Sequence, residues 1–290
     1  MQILPVMNYP TLLAKTKWKQ TVPAEEPSPS SPSTGTVTNY PSLSAAVQPI
    51  LAQHPQVIAF GEFHPEWGFT YQSTIARFTE EVLPQLATEG ICHLLFERIL
   101  TDPVIEAELE TFYSTDCEID QEHTPTLLKY IEYADQQDVI KLLKKARELG
   151  IRIHPGGMSI EQALETIKNE NYLNSSALRA RAACYAGIAL KNAVKNLLGQ
   201  NQEIRLAVYS GLPHNNINPL PGQVENGINF GQELSQTLGE KYIEVDLVLP
   251  VDNTTVDLFV RIPNWRDYIP PEGVTAVQNG RSYTLFFPRN

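Results

Sequence analysis

The alternation of short apolar runs with helix-like segments is the feature that most constrains how this chain can fold. Residues 57–60 and 91–96 are apolar runs of strand length. Between them, residues 69–89 carry apolar side chains at intervals of three and four, which is typical of an amphipathic helix. This strand–helix–strand order favours parallel pairing, and the runs 151–154 and 204–210 continue it. The sequence therefore predicts an α/β fold with a mainly parallel sheet flanked by helices.

Two segments depart from this alternation. Residues 103–150 have helical spacing almost throughout, with breaks near 115–126 and 135, so we expect a helical insertion that caps the sheet. A β-rich C-terminus with an antiparallel sheet edge is predicted by the strand-like runs 242–249, 256–262 and 283–287.

Capping residues mark the expected ends of the helices. Ser42 precedes an apolar helical pattern and is a good N-cap. Gly90 follows the segment 69–89, and Gly199 follows the helical segment 177–198. Glycine is common just after a helix because it adopts the left-handed conformation at little cost. We expect both helices to end at these glycines.

The first 41 residues differ in composition from the rest of the chain. Residues 22–33 are rich in proline and serine, which predicts a disordered linker. We therefore divide the chain into a tail with this linker, residues 1–41, and a single α/β domain with a helical cap, residues 42–290. The early lysines follow the first apolar residues, the reverse of a secretory signal. With no apolar run of roughly 18 to 20 residues, we expect a cytoplasmic protein without an integral membrane segment.

Charge and cysteine content narrow the classes of partner. Lys and Arg number 22 against 33 Asp and Glu, and no basic run is present. A nucleic-acid partner is not expected because the attraction for phosphates is missing. The isolated Cys92, Cys117 and Cys184 do not suggest a disulfide framework and favour a reducing compartment. A small-molecule or peptide partner fits best, and the oligomeric state stays open.

Two tetrapeptides of the form Gly-x-x-His are the strongest functional signal. Residues 61–64 read Gly-Glu-Phe-His and residues 211–214 read Gly-Leu-Pro-His, and each follows a strand-like run. Glycine allows a sharp turn after the strand, and a histidine there faces the crevice at which open α/β sheets bind ligands. A single histidine at a strand end is more often structural, but two in matched motifs favour function.

Ionisable residues follow four of the predicted parallel strands: Glu62 with His64, Glu97, His154, and His214. Because the carboxyl ends of parallel strands lie along one edge, these residues are expected to converge. His64, His214 and Glu97 suit a divalent Zn, Mn, Fe or Co ion that activates a water. A metal-free alternative uses a histidine as general base, a glutamate that orients it and a cation that stabilises the oxyanion.

Simpler explanations exist for several of these residues. Glu62 could cap a helix that begins near Pro65, and His154 could belong to an ordinary turn. Trp67 and Tyr71 could line a pocket for an aromatic or haem-like ligand, although packing against the sheet is the more common reason for such residues.

The paired motifs resemble the TIKI/TraB superfamily, together with Glu97 at the end of the second strand and an arginine-bearing helix before His214. This superfamily includes the erythromycin esterases, the ChaN-type haem-binding proteins and a domain of the Pasteurella toxin. The form Gly-Glu-x-His is closest to the ChaN-like branch. The resemblance covers about residues 57–215 and implies that Glu62, His64, Glu97 and His214 are active-site or ligand residues.

The same resemblance implies an arginine in the helix before the second motif. Arg179 and Arg181 are the candidates, and Arg181 is preferred because it shares a helix face with Tyr185 and Ile188. An aspartate commonly follows this arginine in relatives, whereas Ala182 follows it here. Members of the superfamily are metal-dependent peptidases, metal-independent esterases, or haem and iron binders, so the resemblance implies a site more firmly than a reaction.

The hypothesis that follows is a hydrolase of ester or amide bonds, metal-dependent or not. His64 and His214 activate water, Glu97 and Glu62 act as ligand or base, and Arg181 stabilises the oxyanion. The alternative is a haem or iron carrier of the ChaN type without catalysis, with Trp67, Tyr71 and His154 lining the cofactor pocket. A catalytically inactive scaffold is a third hypothesis.

Overall fold

The computed structural model describes residues 35–62, 74–115, 117–131, 136–169, 171, 175–220, 222–250, 260 and 262–289. Within these residues, eight strands form one sheet. They are β1 (Thr36–Tyr40), β2 (Val57–Glu62), β3 (His93–Phe96), β4 (Arg152–Pro155), β5 (Leu206–Gly211), β6 (Tyr242–Val248), β7 (Val274–Asn279) and β8 (Ser282–Phe286).

The sheet has the strand order β1-β7-β8-β6-β2-β5-β3-β4. The strands from β8 to β4 in this order are parallel to their neighbours. Among the described strands, β7 alone runs in the opposite direction and pairs antiparallel with β1 and β8. The predicted α/β fold with a mainly parallel sheet is confirmed.

Helices cover both faces of the sheet. They are α1 (Leu43–Leu51), α2 (Ile75–Arg77), α3 (Leu83–Thr88), α4 (Pro103–Ser114), α5 (Pro125–Tyr130), α6 (Gln136–Glu148), α7 (Ile160–Glu165), α8 (Ser176–Gln200) and α9 (Gly231–Leu238). Buried residues of α1, α3, α4 and α6 share one hydrophobic core with Phe60 and Tyr209 of the sheet. Buried residues of α8 and α9 share a second core with Ala59 and Val208. Strand residues alternate between the two cores, as the period of two in a strand requires.

The helical insertion agrees with the sequence pattern. α4, α5 and α6 occupy most of residues 103–148, with α4 ending at Ser114 and α5 ending at Tyr130, close to the expected breaks. Buried Leu109, Phe112 and Leu142 join the core on one face of the sheet. The insertion therefore covers that face.

The helical segment between β2 and β3 contains a widened turn. Ile75, Phe78, Val82 and Leu86 are buried, as the spacing of three and four predicts. Between α2 and α3, residues Phe78–Val82 form a π-helical turn in which the Leu83 amide donates to the Phe78 carbonyl five residues back. Pro84 follows and has no amide proton to continue the regular ladder. The segment ends at Thr88, and Gly90 has a φ of +73°, in agreement with its expected role after the helix.

Two strands were not anticipated from the sequence. Thr36–Tyr40, placed in the tail by its composition, forms the edge strand β1. Its residues are mostly exposed and carry no apolar alternation, so the pattern on which strand prediction depends is missing. β7 was also missed, although Gly280 and Arg281 join it to β8 and Gly280 has a φ of +60°. A two-residue connection with a positive φ is a known hairpin signal.

Other expectations differ in detail. Gly199 does not end α8, because the helix continues to Gln200 and is capped at Asn201. Of the predicted strand 256–262, residues 256–259 and 261 lie outside the described residues, and Val260 and Ile262 belong to no strand. No described helix combines the length and apolarity that crossing a bilayer requires.

The helices that follow β2 and β5 pack on opposite faces of the sheet. The helices after β2 pack in the core that contains Phe60, whereas α9, which follows β5, packs in the core that contains Val208. β5 lies directly between β2 and β3. A crevice is expected where adjacent connections diverge, outside the carboxyl ends of the strands.

Phe78 is expected to be a main contributor to stability on the insertion face. Its ring centroid lies 5.1 Å from that of Phe60 and 4.7 Å from that of Tyr209. Phe78→Ala should lower the free energy of unfolding by about 3 to 5 kcal/mol because it leaves a cavity. Urea unfolding followed by circular dichroism measures this. Val37→Ala, at a side chain that is 47% exposed, should cost less than about 1 kcal/mol, and equal losses would contradict the assignment.

Candidate functional site

Glu97 and His214 meet at the carboxyl edge of the sheet. Glu97 directly follows β3, and its amide continues the pairing with β5 by donating to the Tyr209 carbonyl at 3.0 Å. His214 closes a turn after β5, in which its amide donates to the Gly211 carbonyl at 3.0 Å. The turn brings His214 Nε2 to 3.4 Å from Glu97 Oε1. The predicted convergence of these two residues is therefore present.

The other ring nitrogen of His214 is fixed by the backbone. Nδ1 lies 2.6 Å from the Ile228 carbonyl oxygen. A carbonyl only accepts, so Nδ1 carries the proton and the neutral ring has its lone pair on Nε2. The 3.4 Å separation from Glu97 exceeds the usual 2.7 to 3.2 Å of an N–H···O bond. Nε2 is therefore directed at the carboxylate without a formed hydrogen bond.

Gly211 and Gly61 both contribute to the geometry of this edge of the sheet. The Gly211 amide donates to Glu97 Oε2 at 2.7 Å, which holds that carboxylate at the strand end. A Cβ on Gly61 would lie 2.7 Å from Asn215 Oδ1 and 2.9 Å from Asp246 Oδ1, closer than real Cβ atoms approach. Asn215 follows His214, and its Nδ2 donates to the Ala59 carbonyl at 3.2 Å. The absence of a side chain at Gly61 thus lets Asn215, which follows the second motif, pack against β2.

Glu62 lies at the end of β2 with 1% of its surface exposed. Its Oε2 accepts from the Tyr209 hydroxyl at 2.5 Å and from the Thr74 hydroxyl at 2.6 Å. Its Oε1 accepts from Arg98 Nη2 at 3.2 Å. A buried carboxylate is costly unless it is paired and hydrogen-bonded, and these donors satisfy it.

Sequence reasoning missed Tyr209 and Thr74 as partners of Glu62. Burial raises the pKa of Tyr209 well above its usual range, and the Glu62 carboxylate raises that pKa further, so the phenol stays protonated and donates. The signal for Tyr209 was a hydroxyl inside the apolar run 204–210, since a buried tyrosine needs a partner. Arg98, the residue after Glu97, contacts Glu62.

Arg181 is placed on the exposed surface of α8. Its guanidinium pairs with Glu165, and the two side chains are 51% and 46% exposed. Tyr185, on the same helix face, also donates to Glu165 at 3.2 Å. Among the residues the structure describes, Arg181 makes no contact with Glu97 or His214, so the structure does not bring it to their cluster.

His154 lies in β4 and faces His93 rather than the Glu97 and His214 pair. The two imidazoles are stacked, with ring centroids 5.2 Å apart, and His93 Nδ1 lies 2.9 Å from His154 Nε2. Burial, followed by the charges of His93 and Arg152, lowers the pKa of His154 to about 4. His93 is half-buried, and His154 is its partner.

Three predicted site residues, His64, Trp67 and Tyr71, lie outside the described residues. Within the described part of the chain, no group of three or more His, Cys, Asp or Glu side chains is placed to hold a metal ion. The metal set of His64, His214 and Glu97 therefore stays a prediction.

Comparison with known proteins finds likeness in structure only. No family model matches the chain, and no curated protein matches it. The type III effector HopBA1 has a TM-score of 0.51 at 12% identity, over 89% of this chain and 99% of that one. The toxin effector domain RRSP of Vibrio vulnificus has a TM-score of 0.44 at 15% identity, over 68% of this chain and 34% of that one. The haem-binding ChaN of Campylobacter jejuni has a TM-score of 0.43 at 11% identity, over 70% of this chain and 86% of that one.

The structural neighbours include ChaN, the branch that the sequence motifs resemble. At 12% identity the likeness to HopBA1 shows the fold alone. The activity of this chain has to be argued from its own site.

Glu62 is expected to matter for folding because it compensates a buried cation. Glu62→Gln removes the charge that Arg98 contacts, and the Arg98 side chain is 6% exposed. The free energy of unfolding should fall by about 3 kcal/mol. The matched control is Glu165→Gln, which breaks the exposed pair with Arg181 and should change stability by less than about 0.5 kcal/mol. Chemical denaturation of both variants checks this, and a similar small change in both would contradict it.

Stability should also depend on His154 below neutral pH. The folded-state pKa of His154 is about 4, below the ordinary value of about 6.5. The unfolded chain therefore binds a proton first as the pH falls, and the free energy of unfolding should drop by about 2 to 3 kcal/mol between pH 6.5 and 4. His154→Gln should flatten this part of the profile in urea unfolding at several pH values. His123→Gln, at an exposed histidine, should leave the profile unchanged, and an unaltered slope in His154→Gln would refute the assignment.

Proposed function

We propose that this chain is a hydrolase that cleaves an ester or amide bond in a small-molecule or peptide substrate. The observation that carries the proposal is the orientation of His214. Its Nδ1 is bound to the Ile228 carbonyl at 2.6 Å, and its Nε2 is directed at Glu97 Oε1. A neutral imidazole held in one tautomer beside a carboxylate is the arrangement that general-base catalysis needs.

His214 Nε2 takes a proton from a water bound beside Glu97. One O–H bond of the water breaks as its oxygen bonds to the carbonyl carbon of the substrate, and the π pair of the carbonyl moves to the carbonyl oxygen, which becomes the oxyanion of a tetrahedral intermediate. Glu97 faces the same nitrogen and stabilises the imidazolium by its negative charge, while the Ile228 carbonyl keeps its bond to Nδ1–H. The tetrahedral intermediate collapses when its C–O or C–N bond breaks, and Nε2 returns the proton to the leaving alkoxide or amine.

The same pair has the spacing of two ligands on one metal ion. Atoms bound at about 2.0 to 2.1 Å to a tetrahedral ion lie about 3.3 to 3.4 Å apart, and His214 Nε2 lies 3.4 Å from Glu97 Oε1. His64 is the proposed third ligand. A Zn, Mn, Fe or Co ion held there would supply a water of lowered pKa. His214 and Glu97 are the residues on which hydrolysis depends in either case.

Glu62 is assigned a positioning role. Its oxygens accept from Thr74, Tyr209 and Arg98, so it is less suited than Glu97 to take a proton from substrate or water. Arg181 pairs with Glu165 on the surface of α8, and this position does not support a role as the oxyanion donor.

The proposal predicts a large loss of hydrolysis in two variants. His214→Ala and Glu97→Gln should each lower kcat/KM by about 10² to 10⁴ because each removes part of the proton transfer. A panel of nitrophenyl esters and fluorogenic peptides, assayed with and without added divalent metal, measures this. His123→Ala, at an exposed histidine, is the control and should retain full activity.

Two results would refute the hydrolase proposal. One is unchanged hydrolysis of every responsive substrate in both variants. The other is a Soret band on titration with haemin that is lost in His214→Ala, in a protein that hydrolyses nothing. That outcome would support the alternative hypothesis, that the protein is a haem carrier.

A further inference from the structure

The middle of α8 touches the loop that holds His214. Gly187 is buried, and a Cβ built on it would lie 2.2 Å from the Ile228 carbonyl oxygen and 2.4 Å from that of Gly227. Real Cβ atoms essentially never approach within 3.0 Å, so a larger residue cannot be added without moving the loop backbone. Glycine inside a helix costs about 1 kcal/mol relative to alanine. The close approach is therefore maintained at a cost to helix stability.

The Ile228 carbonyl at this contact is the acceptor for His214 Nδ1, at 2.6 Å. The same loop also holds the main chain of the histidine, because the Phe230 and Gly231 amides donate to the His214 carbonyl at 2.8 and 3.1 Å. Both the ring and the backbone of His214 are thus held by residues 228–231.

This loop is itself fixed by hydrogen bonds. The Gly227 amide donates to the Val224 carbonyl at 2.9 Å, and Gly227 has a φ of +74°. Asn229 Nδ2 donates to the carbonyls of Pro213 and Asn216, at 3.0 Å each. These bonds define one position for the Ile228 carbonyl, and its oxygen is the atom that a Cβ on Gly187 would meet first, so a substitution at Gly187 displaces that carbonyl.

We infer that Gly187 is a positioning residue that sets the tautomer of His214 through the Ile228 carbonyl. With the carbonyl in place, the proton is on Nδ1 and the lone pair on Nε2 faces Glu97. If the carbonyl is displaced, Nδ1–H loses its acceptor and the ring is free to carry its proton on Nε2, which can donate to Glu97. That tautomer has no lone pair on Nε2, so it cannot accept a proton from a water beside Glu97. The catalytic consequence rests on the proposed function, whereas the tautomer does not.

The test is an NMR measurement of the imidazole ¹⁵N chemical shifts in the whole protein with ¹⁵N-labelled histidine. The spectra are recorded at a pH at which the His214 ring is neutral. The His214 signal is identified by its loss in His214→Gln. The wild-type protein should show the proton on Nδ1, and Gly187→Ala should replace this with a mixture of tautomers or with the Nε2–H form. Gly199→Ala is the matched control because it lies in the same helix and a Cβ there meets no atom within 4 Å. It should leave the spectrum unchanged.

A second variant keeps the test decisive if Gly187→Ala does not fold. A Cβ on Gly227 would lie 2.9 Å from Ile188 Cγ1, so the Ile188 side chain of α8 packs closely against the loop. The double variant Gly187→Ala with Ile188→Ala gives the loop room to move outward and should show the same change of tautomer. Circular dichroism checks that each variant is folded.

The outcomes separate this inference from the proposed function. An Nε2–H tautomer in the wild-type protein, or an unchanged tautomer in the folded glycine variants, overturns the role of Gly187 even if His214→Ala abolishes hydrolysis. A changed tautomer supports that role even if no substrate is hydrolysed. A change of equal size in Gly199→Ala would also overturn it, since the effect would then belong to the helix as a whole.

Discussion

The insertion of β5 between β2 and β3 is the constraint on which the candidate site depends. All three strands are parallel, so their carboxyl ends reach the same edge of the sheet. Glu62, Glu97 and His214 follow from these strand ends, although they are far apart in the sequence. The helices after β2 and the helix after β5 pack on opposite faces, which is where open α/β sheets are expected to form a ligand crevice. Because β5 pairs directly with β3, Glu97 and His214 are neighbours.

The two carboxylates at this edge have different surroundings. Glu62 is enclosed by a phenol, a threonine hydroxyl and a guanidinium, whereas Glu97 accepts from the Gly211 amide on Oε2 and presents Oε1 to His214. Environment divides roles between chemically identical groups, since a carboxylate surrounded by side-chain donors anchors structure and one that faces an imidazole can assist a proton transfer. This difference comes from Tyr209 and Arg98, which belong to the fold rather than to the motifs.

Apolar periodicity was sufficient to predict the parallel strands and the helical insertion, because both depend on the spacing of apolar residues within a short segment of sequence. β1 escaped prediction because a polar edge strand has no such pattern. In the site, the glycine motifs identified His214, and a glutamate after an apolar run identified Glu97. The acceptor for His214 Nδ1 could not be predicted, because a backbone carbonyl has no residue signature. The pairing of Arg98 with Glu62 and that of Arg181 with Glu165 could not be predicted either, because each depends on the path of a side chain. His64 stays a prediction.

The pairing of β1 with β7 joins the early part of the chain to its last strands. Val37 pairs with Val277, and β7 in turn pairs with β8. During synthesis on a ribosome, the chain emerges from its N-terminal side onward, so β1 has no partner until β7 has been made. β2 likewise waits for β5 and β6, between which it lies. The strands that lead to Glu97 and His214, β3 and β5, come before β6 and β7 in the chain, so these two residues can meet before β1 gains its partner.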